Sequence, residues 1–125
     1  MEKIYDKVFE ATLVVRPKSA KILKDDEALI KHIKKGALAG GMTLKSLMVD
    51  YLHADYKGKK IPSYSIILIV QESHIAIYTY PERNSAHINI STCSSQESLK
   101  AIIDYFKSVF EVKSEKDIQM IDIID

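Results

Sequence analysis

The chain has 125 residues, enough for one hydrophobic core and too few for two, so a single domain over residues 1–125 is expected. Its 46% hydrophobic and 28% charged residues are those of an ordinary globular protein, and 18 basic against 17 acidic groups leave no field to gather nucleic acid or an anionic membrane. One cysteine, Cys93, excludes a disulfide within the chain and an all-cysteine metal site. The longest purely apolar run, Ile66 to Val70, is far short of the ~20 residues that cross a bilayer, and a cytoplasmic location is expected.

Lys7 to Arg16 is rich in β-branched residues and predicts a strand, closed by Pro17 and a turn at Lys18-Ser19. From Asp25 or Asp26 the period becomes helical, with Leu29, Ile30, Ile33, Ala37 and Leu38 on one face and Gly40-Gly41 as the stop. Met42 to Leu52 is moderately strand-like and leads into Asp55-Tyr-Lys-Gly-Lys-Lys60, a lysine-rich segment expected to be a solvated loop. Strands follow at Tyr64 to Val70, Ile75 to Tyr80 and Ala86 to Thr92, the last alternating His87, Asn89 and Ser91 with Ile88 and Ile90.

Ser94-Ser-Gln-Glu97 fits a capping box, and Leu99, Ile102, Ile103, Phe106, Val109 and Phe110 then recur at helical steps. Asp117 to Ile124 is a candidate edge strand. Two helices among five or six strands predict an α+β fold, an antiparallel sheet with both helices packed on one face. Such a two-layer sandwich leaves the other sheet face toward a second subunit or a ligand site.

Between two apolar runs stands Glu72-Ser73-His74, and its polar groups are either a turn or a site. As chemistry, a serine hydroxyl attacks its own preceding carbonyl when the backbone is strained, and the resulting ester eliminates to leave an amino-terminal pyruvoyl group. That group captures a substrate amine and accepts electrons as CO₂ leaves, with no added cofactor. The product carbon then needs a proton from a positioned acid, and a thiol, with a free pKa near ~8.5, is suited to this. Cys93 is the single thiol. Taken alone, the same residues read first as a hairpin turn and a small core cysteine, because so short a pattern recurs by chance. His32, expected to face solvent, and His53 and His87 have no carboxylate or thiol neighbours at ligand spacing, so no metal site is predicted.

The run ESHIAIYTYPE, followed by Ala86, by Asn89-Ile-Ser-Thr-Cys93 and by an amphipathic helix, resembles the small prokaryotic S-adenosylmethionine decarboxylases, whose pattern is ESHxxIHTWPE, then FTCG, then a helix. The spacing matches without gaps from Ser65 to Cys93 and agrees in kind elsewhere. The resemblance implies cleavage between Glu72 and Ser73, giving a β chain of residues 1–72 and an α chain of residues 73–125. It implies that Ser73 becomes the pyruvoyl group, that Cys93 protonates the product carbon, and that Ser65 assists processing. Glu82 would hold the ribose hydroxyls of S-adenosylmethionine, and Tyr80, in place of the family's tryptophan, would stack on adenine or attract the sulfonium.

Tyr78 stands where the family has its processing histidine, and a phenol, with a free pKa near ~10, is a poor base at neutral pH. Tyr56, in a loop longer than the family's, is a candidate second stacking aromatic. The implied activity supplies the aminopropyl donor for polyamine synthesis, and the implied assembly is a homodimer of cleaved αβ units. Two alternatives stay open: the same chemistry on a basic amino acid such as arginine or ornithine, and an uncleaved, non-catalytic paralogue that binds a nucleoside or a partner subunit.

Overall fold

A computed structural model describes residues 7–71, 73–111 and 118–124. The sheet grows from strands that bury every second side chain. In β1 (Lys7–Pro17), Phe9, Ala11, Leu13 and Val15 are buried while Glu10, Thr12 and Val14 are partly exposed. The same alternation runs through β3 (Lys59–Val70) from Tyr64 on and through β5 (Ser85–Thr92), while β4 (Ser73–Tyr80), between them, buries Ile75, Ala76 and Ile77 in succession. Each Ile or Leu buried this way contributes roughly 1.5–3 kcal/mol.

With β2 (Leu44–Tyr56), β6 (Phe110–Glu111) and β7 (Ile118–Ile124), the described residues form a seven-stranded sheet of order β2-β3-β4-β5-β1-β6, with β7 also paired to β1. All pairings are antiparallel. The first strand therefore lies between the fifth and the last ones, and both fragments expected from cleavage at Ser73 contribute to one sheet.

The helices α1 (Asp26–Ala39) and α2 (Gln96–Val109) pack on each other and on one sheet face, burying Leu29, Ile33 and Ala37 from α1 and Leu99, Ile102, Ile103 and Phe106 from α2. Asp25 caps α1, its Oδ1 accepting from the Ala28 amide at 3.0 Å. At the other end the Gly41 amide donates to Leu38 at 2.9 Å and the Met42 amide to Ala37 at 3.0 Å, with Gly41 at φ 73°. This is a Schellman stop, which needs a residue free to adopt positive φ. It turns the chain so that Gly41, Met42 and Thr43 border the site described below.

The expected α+β sheet with two helices on one face is present, and four details differ. The segment 55–60 is not a loop: β2 and β3 continue to Tyr56 and Lys59 around a two-residue turn, Lys57-Gly58, with φ of 52° and 77°. Positive φ at both positions matches the twist of a tight hairpin, and both strands there are solvated on both faces, so no alternation signals them. The cap of α2 is Ser95, whose Oγ accepts from Ser98 at 3.0 Å, because the Ser94 amide is turned back onto Thr92 Oγ1 at 3.1 Å. Leu38 is 59% exposed, lying beyond the edge of the helix contact. His32 is half-buried instead of fully open to solvent: its Nδ1 lies 2.8 Å from Tyr105 Oη on α2, and burial first, then Lys35 and Lys31, lowers its pKa.

The helix-free face of the sheet carries a mixture of polar groups and uncovered apolar ones, including Met48 at 60%, Leu52 at 52% and Ile69 at 41% exposure.

Candidate active site

Ser73 is the first residue of β4, paired with Val70 across the β3–β4 hairpin. Cys93 follows the last residue of β5, the strand on the other side of β4. Strand order thus places them side by side. Ser73 Oγ accepts from the Cys93 amide at 3.3 Å and lies 3.8 Å from Cys93 Sγ. Both residues are partly buried, on the wall of a cleft of about 280 Å³ that is also lined by Gly41, Met42, Thr43, Gln71 and Ser94. The rim is tied together by the Gln71 amide, which donates to the Thr43 carbonyl at 3.0 Å. Glu72, expected on the other side of the cleavage point, lies outside the described residues.

The other expected residues gather at the far end of β4. Ser65 is paired with Tyr78, the last step of the β3–β4 ladder, and His87 faces Tyr78 from β5. Beyond that step β3 departs with β2 into the hairpin, and the side chain of Thr79 replaces the lost ladder bond by accepting from the Tyr64 amide at 2.8 Å. The parting strands open a second cavity of about 300 Å³ lined by Leu52, Ser63, Tyr64, Ser65, Tyr78, Thr79, Tyr80 and Glu82. Five residue steps along the strand lead from Ser73 to Tyr78, roughly 17 Å at the usual rise. Within one chain the predicted residues therefore form two groups, Ser73 with Cys93 and Ser65 with Tyr78, Tyr80 and Glu82.

Glu82 sits in a 3₁₀ turn, Pro81–Arg83, that ends at Asn84 with φ 50°. Its Oε2 is buried with no hydrogen-bond partner among the described residues. Leaving a buried acceptor unmatched costs roughly 1–3 kcal/mol, more when it is charged, which makes this oxygen a candidate acceptor for a donor from outside the described residues. Tyr80 packs its ring against His87 at 4.7 Å between centroids. The phenol of Tyr64 is pushed above the ordinary tyrosine range by burial, helped by Asp26, Tyr51 and Asp25, and its hydroxyl donates to the Lys24 carbonyl at 3.4 Å. Tyr56 is at the hairpin tip under Lys57 Nζ and lines neither cavity.

Sequence reasoning missed Tyr64, Thr79 and His87, whose part depends on where β3 leaves β4, and Met42, Thr43 and Gln71, which reach the first cleft through the helix stop. The Gly40-Gly41 pair was the available signal for the latter.

The family model for S-adenosylmethionine decarboxylase matches residues 15–121. An S-adenosylmethionine decarboxylase proenzyme of Pyrobaculum neutrophilum is 33% identical over 87 residues, 70% of this chain and 65% of the relative. An arginine decarboxylase proenzyme of Caldivirga maquilingensis is 36% identical over 85 residues, 68% of this chain and 60% of the relative. The matches thus span less than two thirds of these relatives' length. The crystal structure of the adenosylmethionine decarboxylase from Aquifex aeolicus superposes with a TM-score of 0.71 over 96% of this chain and 90% of that one, at 14% identity, and so shares the fold. A match over most of the chain and the common architecture lead to one conclusion: the chain belongs to the S-adenosylmethionine decarboxylase family.

Proposed function

We propose that the protein is a self-processing decarboxylase of S-adenosylmethionine that provides the aminopropyl donor for polyamine synthesis in the cytoplasm. The observation that carries this reading is Ser73 Oγ, set between the amide and the thiol of Cys93 at the mouth of a cleft. Attack of that hydroxyl on the Glu72 carbonyl divides the chain into residues 1–72 and 73–125. The surroundings suit a pyruvoyl group at position 73, because the strand that bears it is held by ladders on both sides. Such a group supplies a ketone that captures the substrate amine and an electron sink for loss of CO₂.

Cys93 Sγ then holds the proton for the product carbon, as its 3.8 Å approach to Ser73 Oγ supports. The vacant Glu82 oxygen accepts from the ribose hydroxyls, and the faces of Tyr78 and Tyr80 receive the sulfonium or the adenine ring.

Two groups ~17 Å apart on one strand cannot touch one small substrate. A two-fold dimer that covers the helix-free face resolves this, since a reversed second sheet brings the Ser65, Tyr78, Tyr80 and Glu82 end of one chain over the Ser73 and Cys93 end of the other. Exposed Met48, Leu52 and Ile69 on that face support such burial. Ser65 and Tyr78 would then assist processing of the partner chain. The Caldivirga relative motivates a second reading, arginine as the substrate, since the carboxylate of Glu82 also suits a guanidinium.

Denaturing mass spectrometry is expected to show two chains divided at Ser73, and a single intact chain would overturn the proposal. CO₂ release from S-adenosylmethionine and from arginine then assigns the substrate.

A further inference from the structure

The helix-free face of the sheet carries a chain of side-chain hydrogen bonds that neither cavity uses. His74 Nε2 lies 2.9 Å from Asn89 Oδ1, and Asn89 Nδ2 donates to Glu10 Oε1 at 2.9 Å and to Thr12 Oγ1 at 3.1 Å. All four residues are partly buried. A carboxylate only accepts, so the amide NH₂ faces Glu10 and the amide oxygen faces His74, which fixes Nε2 as a protonated donor. Thr12 is directly opposite Asn89, while His74 and Glu10 reach it diagonally from the two sides. The result ties β4 to β5 and β5 to β1 through side chains, in addition to the backbone ladders.

The position of this tie gives it meaning. His74 follows the serine at the proposed cleavage point, and strand ends that lose their covalent neighbour fray. After cleavage, His74 would be the first residue inward from a new chain end. Its partner Asn89 belongs to the same fragment, but Glu10 and Thr12 belong to the other one. We propose that the His74–Asn89–Glu10/Thr12 chain anchors the start of β4, making His74 a positioning residue that keeps position 73 beside Cys93. Its relevance to catalysis rests on the function proposed above, whereas the anchor itself rests on the hydrogen bonds.

Hydrogen exchange of the purified full-length protein, read on peptides spanning residues 73–79, tests it. Asn89→Leu and His74→Leu are each expected to exchange about tenfold faster at the start of β4 than the wild type, the loss of one buried hydrogen bond, with α2 peptides unchanged. His74→Gln, whose amide can still donate to Asn89, should stay near the wild type. In decarboxylation, His74→Leu should lower kcat with KM within about twofold, as a displaced reacting position requires. Wild-type exchange rates in both leucine variants would overturn the anchor. Should Asn89→Leu fail to fold, the contrast between His74→Leu and His74→Gln decides alone. The masses of the same samples report cleavage separately: an intact wild-type chain overturns the decarboxylase reading, while the exchange comparison, which needs no cleavage, still upholds or overturns the anchor.

Discussion

The two ends of β4 are built from different materials. At its start, Ser73 and Cys93 are small side chains set against each other by one backbone donor, the Cys93 amide on Ser73 Oγ, in a cleft bordered by Gly41 to Thr43. At its end, Tyr64, Tyr78, Tyr80 and Glu82 line a cavity opened by two diverging strands, and one buried carboxylate oxygen has no partner among the described residues. Bond making needs reacting atoms held within a few tenths of an ångström, which short backbone-anchored groups supply. Recognition of a larger molecule needs area and an acceptor awaiting a donor. Under the proposed function the first end carries the chemistry and the second the selection of substrate, so variants of the two ends should fail in different ways.

The largest expected effect is at the start. Ser73→Ala removes the attacking hydroxyl, so mass spectrometry should find one uncut chain and assays no CO₂ release. Cys93→Ala should still cleave and then turn over ~10²–10⁴-fold more slowly, the usual contribution of a positioned proton donor. An unchanged kcat in that variant would move the proton donor elsewhere and break the division of labour between the two ends.

How much of this could be read from the residues follows the same division. Leu99, Ile102, Ile103 and Phe106 announce α2 and are all buried, and the alternation around Ile88 and Ile90 announces β5 correctly. Those patterns exist because one face meets the core. The β2–β3 hairpin beyond Tyr51 and Tyr64 has no such face, and Asp55 to Lys60 therefore resembled a loop. Ser73 and Cys93 meet because adjacent strands bring together residues 20 apart in the chain, as the family motif anticipates. Ser65, only eight positions before Ser73, lies far from it because Ser73 begins β4 at the hairpin, opposite Val70, while Ser65 lies five steps back along β3, opposite Tyr78. The tie from His74 to Glu10 was hidden as well, since no local pattern reveals that β1 inserts beside β5.

At the far end, Glu82→Gln replaces a charged acceptor by a neutral amide of nearly the same shape. Cleavage should be unaffected, while KM rises ~10- to 100-fold, the range for loss of a hydrogen bond to a charged group. A fall in kcat at constant KM would instead place Glu82 with the chemistry and erase the contrast.

The smallest effect separates geometry at the start of β4 from overall stability. Gly41 and Gly58 both have positive φ, 73° and 77°, and a Cβ at either would meet no atom within 4 Å. Alanine at either position therefore meets backbone strain alone, about 1 kcal/mol, or roughly 3–6 °C in Tm for a domain of this size. Thermal unfolding should shift alike in Gly41→Ala and Gly58→Ala. Only Gly41 belongs to the cleft around Ser73 and Cys93, through the helix stop that places Met42 and Thr43, so cleavage should slow in Gly41→Ala and keep its wild-type rate in Gly58→Ala. Equal cleavage rates in the two would mean that the rim of the first cleft plays no part in setting the position of Ser73.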